Sequence, residues 1–334
     1  MAATAFPTLL NHLQMSSAIG RLRAQHAQAS IEIVTGRIAD PALELGAALG
    51  SASLTRKALG DIQSYRQTLA LASARAGAAQ ASLAAMSHDA APLSANIQSA
   101  VARGDETAMA IFGESAEARL RGAVGALNAR VGDATLFSGD GVDGPALASA
   151  DALLADIEAL YAGSATAADF EMALDFYFND PAGGFNQSIY LGGSGSAPRA
   201  DLGDGEMVKP SARADEQPIR DLLRGLAAAA AAGSAAPGAM RDEAFRSAAT
   251  SMRSGADGIA VVSARIGVAE ERIEIRTQRL DAEEAALTRV YNGMMARDPY
   301  EAASRLQQIE AALEASYAVT ARLTQLTLTR FLAP

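Results

Sequence analysis

Stepping through residues 245–294 in sevens gives Phe245, Met252, Ile259, Ile266, Ile273, Leu280, Leu287 and Met294, all large and apolar. An unbroken repeat of seven is the mark of a helix that presents one seam to a partner helix. A second row, three residues on, holds Ala248, Val262, Ala269 and Val290 and fails at Arg276 and Glu283. Proline is absent from this stretch until Pro299, and Gly255, Gly258 and Gly267 each weaken it by about 1 kcal/mol. A helix over residues 240–297 would run about 87 Å, longer than an ordinary globular domain. The seam therefore predicts long helices packed side by side.

A helix that long needs an equally long partner, and the N-terminal half supplies one. Residues 41–103 carry the seam Ile62, Tyr65, Leu69, Ala72, Ala76, Ala79, Leu83, Met86, Ala90, Leu93, Ile97 and Ala100, with Pro92 expected to kink it. Residues 6–34 form a shorter helix on steps of four and three: Phe6, Leu10, Leu13, Ser17, Gly20, Ala24, Ala27, Ile31 and Val34. Its counterpart at the other end starts at Asp298-Pro299 and runs to about Phe331. Asp298 is the expected N-cap, Glu301 stands three residues on, and the seam is Leu306, Ile309, Leu313, Ser316, Thr320 and Leu323. Both ends thus read alike: a terminal helix of roughly 30 residues, an Asp-Pro break, and a helix of roughly 60. Folding the chain back on itself would bring terminal helix to terminal helix, with the two breaks at similar heights.

The middle of the chain differs. Residues 141–215 hold 12 acidic and 3 basic residues, a net −9 out of −10 for the whole chain, and 7 of its 16 aromatics. A shift this sharp marks an insertion. Before it, residues 106–130 read as a helix. Within it, helices are expected at 148–161 and 169–178, and strands at 187–191, 199–202 and 206–209, the last two joined through Asp204-Gly205. A further helix is expected at 219–232. The predicted fold is mainly α: a long antiparallel helical hairpin or coiled-coil bundle built from both chain ends, with a small inserted α+β domain. The expected division is a terminal helical assembly domain (1–40 with 298–334), a long-helix rod domain (41–140 with 216–297) and the acidic insertion (141–215).

Chemistry is hard to find. The one G-x-G-x-x-G, Gly139 to Gly144, has two acids where phosphate would approach and Pro145 behind it, so it reads as a solvated turn. His12 and His26 are fourteen residues apart, about 21 Å along a helix, too far to share a metal. The acids show no calcium-loop spacing, and no serine or histidine sits in a nucleophile context. No catalytic, cofactor or metal site is expected. The net charge of −10 opposes binding to nucleic acid, and no apolar run is long enough for membrane insertion. Residues 1–13 lack the basic start of a secretory signal peptide.

Apolar residues on several sides of the terminal helices instead suggest packing between molecules. The residues expected at an assembly interface are Leu10, Leu13, Ile31, Leu306, Ile309, Leu313, Leu323, Leu326, Leu328 and Phe331.

Thr35-Gly36-Arg37-Ile38-Ala39-Asp40, the block Asp298-Pro299-Tyr300-Glu301-Ala302-Ala303, and Ala315-Ser316-Tyr317 with Gln325-Leu326 give the chain its likeness. In their order and setting it resembles the bacterial flagellin family. Leu127-Asn128-Ala129-Arg130-Val131, Leu136-Phe137-Ser138-Gly139, Asp204-Gly205-Glu206 and Arg213-Ala214-Asp215-Glu216 are similar to the hook–filament junction branch of that family. The resemblance implies a structural subunit, not an enzyme, exported unfolded by the flagellar type III route to the extracellular flagellum. Its partners would be further copies of itself, neighbouring hook-associated protein and flagellin subunits, and an export chaperone. The filament subunit itself, flagellin, is the alternative within the family, and a cytoplasmic coiled-coil signalling rod the alternative outside it.

Overall fold

A computed structural model describes residues 5–141, 143–195, 199–203 and 205–331; the side chains of 5–12, Asp89 and 323–331 lie outside the described residues. The fold is mainly α. In chain order the helices are α1 (Ala5–Thr35), α2 (Pro41–Glu44), α3 (Leu49–Arg103), α4 (Glu106–Leu127), α5 (Ala150–Gly163), α6 (Ala167–Asn179), α7 (Gln217–Gly233), α8 (Ala239–Met295) and α9 (Pro299–Phe331). Two small antiparallel hairpins accompany them, β1 (Arg130–Val131) with β2 (Ala134–Thr135), and β3 (Ala200–Gly203) with β4 (Glu206–Val208). No helix among the described residues is long and apolar enough to cross a membrane. The chain forms two compact units, 1–63 with 281–334, and 64–280.

In the unit 64–280 the seams do what their spacing predicts. On α8, Phe245, Met252, Ile259, Ile266, Ile273 and Leu280 are buried. On α3, Leu69 to Ala100 are buried at every seam position, while Tyr65 is exposed. Gln80 on α3 donates to the Ser263 carbonyl of α8 at 2.7 Å, fixing their register at this level. The helix α7 lies between α4 and α8, and its second half is apolar all round: Ala227 to Ala232 are all buried. Glycines let the backbones close up here. A Cβ on Gly113 of α4 would stand 2.4 Å from the Gly233 Cα of α7, and one on Gly255 of α8 would stand 2.5 Å from the Leu222 amide nitrogen.

Residues 141–215 contribute to that same core. Leu153, Ile157, Phe170, Leu174, Phe178 and Phe185 join one buried cluster with α3, α4, α7 and α8. Tyr161 meets Phe170 edge-on at 5.0 Å between ring centroids. Burial pushes the Tyr177 hydroxyl pKa up, helped by the bond it donates to Asp156 at 2.7 Å.

Several local expectations need correcting. The strand expected at 187–191 is instead a single wide helical turn, Phe185–Ile189, followed by one bridge between Tyr190 and Leu147. Gly184 packs so closely on the Tyr177 ring that a Cβ would fall 2.2 Å from it. Phe185 and Ile189, about one turn apart, both point inward here. The helix expected from Pro41 breaks after Glu44, because Gly46 takes φ +50°, and α3 starts at Leu49. The helix expected to reach Arg130 stops at Leu127 because Asn128 leaves it to bond Leu147 in both directions, at 3.0 and 2.9 Å.

The register proposed for α1 also fails. Ile19 and Leu22 are half-buried and Ala29 is buried on the side that α9 covers, whereas Leu13, Ile31 and Val34 point outward. With Ser17, Gly20, Ala24 and Ala27 between its large members, the chosen row had little to distinguish it from its neighbours.

Two substitutions test the packing. Ile266→Ala is expected to cost about 2–5 kcal/mol through lost burial and a residual cavity; an unchanged denaturation midpoint would refute its place in the core. Glycine replacements should split by position. Gly255→Ala destabilises, since its Cβ meets backbone, despite alanine's better helix propensity. Gly267→Ala, whose Cβ finds only the Gln80 amide at 3.6 Å, should stabilise by about 0.5–1 kcal/mol in urea unfolding.

Candidate assembly surface

In the unit formed by 1–63 with 281–334, α1 packs along α9, and each is joined to its neighbour by a short break. The two breaks are hydrogen-bonded to one another. Ile38 donates its amide to the Met295 carbonyl at 3.0 Å, and the Arg297 amide donates to the Gly36 carbonyl at 3.0 Å, so Arg37 and Ala296 pair as antiparallel strand would. Each residue of the Thr35–Asp40 segment has a task in this turn. The Thr35 hydroxyl donates to the Ile31 carbonyl at 2.7 Å, closing α1. Gly36 takes φ +64°, a conformation that costs other residues strain. Asp40 caps α2 by accepting from the Leu43 amide at 3.2 Å. Across the clasp, Asp298 accepts from the Tyr300 amide at 2.8 Å and starts α9. Glu301, expected to reach back to the cap, lies 4.0 Å from Arg297 instead.

The clasp is locked by charge. Glu32, only 3% exposed, accepts from the Ala39 amide at 3.0 Å and from Arg297 at 3.0 and 3.2 Å. The same guanidinium bonds Glu44, which also accepts from Arg305 at 3.1 Å. Burial alone would push the Glu32 carboxyl pKa up. The Ala39 amide and the Arg297 charge outweigh it and hold it below the ordinary carboxylate value. The hydrogen bond to Glu32 likewise raises the Arg297 pKa. Beside this network Arg37 and Arg56 both lie over the Tyr291 ring at 5.7 Å, and Arg56 also bonds its hydroxyl at 2.7 Å. None of these residues stood out in the sequence as a site. The available signal was Glu32, a lone charge inside the apolar run Ile31 to Val34.

The residues expected at an assembly interface divide into three groups. Leu13 and Ile31 are 61% and 54% exposed and lie on the side of α1 away from α9. Leu306 and Leu313 are half-buried and Ile309 is buried, so the α9 row faces α1 within the chain. The side chains of Leu10, Leu323, Leu326, Leu328 and Phe331 lie outside the described residues. The structure therefore brings the α9 row to α1 but leaves Leu13 and Ile31 apart from it.

The glycine motif at 139–144 is a packed turn. Its Asp140 carboxylate accepts from the Gly195 amide at 2.8 Å, and a Cβ on Gly139 or Gly141 would collide with the Gly193 backbone. Among the described residues no group of three or more His, Asp or Glu is placed to hold a metal ion.

Residues 254–332 match the family model of the bacterial flagellin C-terminal helical region. The match supports the bacterial flagellin family. It covers most of α8 and all of α9, including the Arg297-Asp298-Pro299 half of the clasp. No curated protein matches the chain.

Removing Arg297 should expose the cost of the buried carboxylate. Arg297→Ala is expected to destabilise the terminal unit by about 3–5 kcal/mol, read as earlier proteolysis of α1 and α9. The pH dependence has a fixed sign. The Glu32 pKa is depressed on folding, so its stabilising contribution is complete above the unfolded value, about 4.3, and is lost as pH falls through the folded one. Glu32→Gln should be less stable at pH 7 and lose less below pH ~4.3 than the parent, by circular dichroism melts.

Proposed function

We propose that the chain is a structural subunit of the bacterial flagellum that joins hook to filament after export by the flagellar type III route. The match of residues 254–332 supports a structural flagellar role. The junction branch is supported by the meeting of three of the four segments that resemble it. The Leu136 amide donates to the Ala129 carbonyl at 3.0 Å, the Ala214 amide donates to the Phe137 carbonyl at 2.8 Å, and Arg213 pairs with Asp215 within its own segment. Glu216, next in that segment, takes a two-pronged bond from Arg265 of α8 at 2.8 and 2.9 Å. The segments thus hold one another in place, as expected of a fixed structural joint.

In this reading the partners are further copies of the chain, adjoining hook-associated and flagellin subunits, and an export chaperone, and the protein works outside the cell. Leu13 and Ile31 supply contacts between subunits, and Leu10, Leu323, Leu326, Leu328 and Phe331 are proposed with them on sequence alone. Covering an exposed leucine or isoleucine in a polymer is worth about 1.5–3 kcal/mol.

Deleting the gene is the deciding experiment. Hooks without filaments, with flagellin lost to the medium, are expected. Intact filaments on normal hooks would refute the junction role, and filament loss without such leakage would favour the filament subunit. At residue level, Ile31→Asp is expected to change the melting temperature little, since surface changes stay within about 0.5 kcal/mol. Its protein should reach the medium unassembled; normal incorporation would show that this face of α1 stays in water.

A further inference from the structure

The back of α8 carries a second heptad row. Val261, Val268 and Ile275 are seven residues apart and all exposed, Val261 at 71%. At 100° per residue they sit about 200°, 180° and 160° round from Ile259, opposite the buried seam. Four residues after each comes an exposed arginine: Arg265, Arg272 and Arg279. Nothing in the fold of 64–280 requires apolar β-branched residues on this side. The row has the composition of a helix-pairing stripe, apolar along the middle, basic along one edge and acidic at Asp257 and Glu271 along the other.

A surface of matching character exists on α6. Met172 and Phe176, one turn apart, are 66% and 56% exposed, on the opposite side of the helix from buried Phe170 and Leu174. They open onto a depression that reaches Pro181. Around them stand Asp169, Glu171, Asp175 and Asp180. The two guanidiniums on that side come from α7. Arg224 holds Glu171 at 2.7 Å and Asp175 at 3.4 Å, and Arg220 is bonded to the Phe178 carbonyl at 2.8 Å. The patch is thus apolar with an acidic rim. On the α8 edge, Arg265 is held by Glu216, while Arg272 stands 3.5 Å from Glu206.

We propose that the α6 patch of one copy of this chain docks on the back of α8 of the next, with Met172 and Phe176 against Val261, Val268 and Ile275. The acidic rim then meets the arginine edge. Because the two surfaces differ, the contact is head-to-tail, and each copy keeps one of each free to continue the chain. Apolar burial supplies the attraction, while the charges set register and partner and weaken with added salt. The pairing rests on the assembly reading above but uses a surface separate from the terminal helices.

The chain has no cysteine, which makes the test direct. Phe176→Cys and Val268→Cys variants of the full chain are mixed, oxidised and sedimented, with Phe176→Cys plus Ile111→Cys as control. The expected result is a disulfide-linked heterodimer about tenfold above the control, the factor given by about 1.4 kcal/mol of preference. Asp175→Arg on the Phe176→Cys copy should abolish the excess, and Arg272→Glu on the other copy should restore part of it. Sedimented polymer without the heterodimer overturns the pairing and leaves the assembly reading standing. Heterodimer without polymer supports the pairing and counts against that reading. Absence of both, up to the solubility limit of the chain, overturns the pairing.

Discussion

The closeness of α7 to its neighbours sets the geometry of the unit 64–280. Gly113 against Gly233, and Gly255 against Leu222, bring backbones together with no side chain between them. At that separation the dispersion attraction of main-chain atoms contributes directly, and the buried alanines of α7 fill the remaining space. The aromatic rings of α6 and the following turn close the other side. A core so poor in aromatics overall works because its helices stand close.

The terminal unit relies on a different interaction. Its helices bury less, and Leu287 and Met294 are only half-covered where the α8 seam continues beyond Leu280. Hydrogen bonds between the two breaks and the buried Glu32–Arg297 pair hold it instead. Such a pair contributes little beyond a well-packed apolar substitute, but it is intolerant of losing one partner. It therefore fixes which residues meet more than it adds to stability. That suits a segment whose outward apolar side chains, Leu13 and Ile31, are proposed to contact other subunits.

What could be read from the sequence follows side-chain size. The α8 seam was legible because eight large residues recur without exception, and the α3 seam because its alanines lie between leucines and isoleucines. The Asp-Pro starts of α2 and α9 were legible because capping is a local matter of three or four residues. The register of α1 was not, since serine, glycine and alanine fit any face. The turn at Phe185–Ile189 depends on a tyrosine ring that Gly184 reaches only in the folded chain. The clasp joins Glu32 to Arg297 across 265 positions, and no local pattern links them.

The alanine run of α7 has a consequence for how this part of the chain can vary. Six consecutive residues already carry the smallest side chain that still favours a helix, and all six are enclosed. No methylene can be trimmed from them except by going to glycine, and every other replacement adds volume where none is free. Exposed positions outside any contact can drift through many residue types at small cost. The α7 run cannot, and its surroundings would have to change in concert for any one of its alanines to be replaced by something larger. Substitution there is a coupled event among α4, α7 and α8, and the three helices are bound to diverge together or hardly at all.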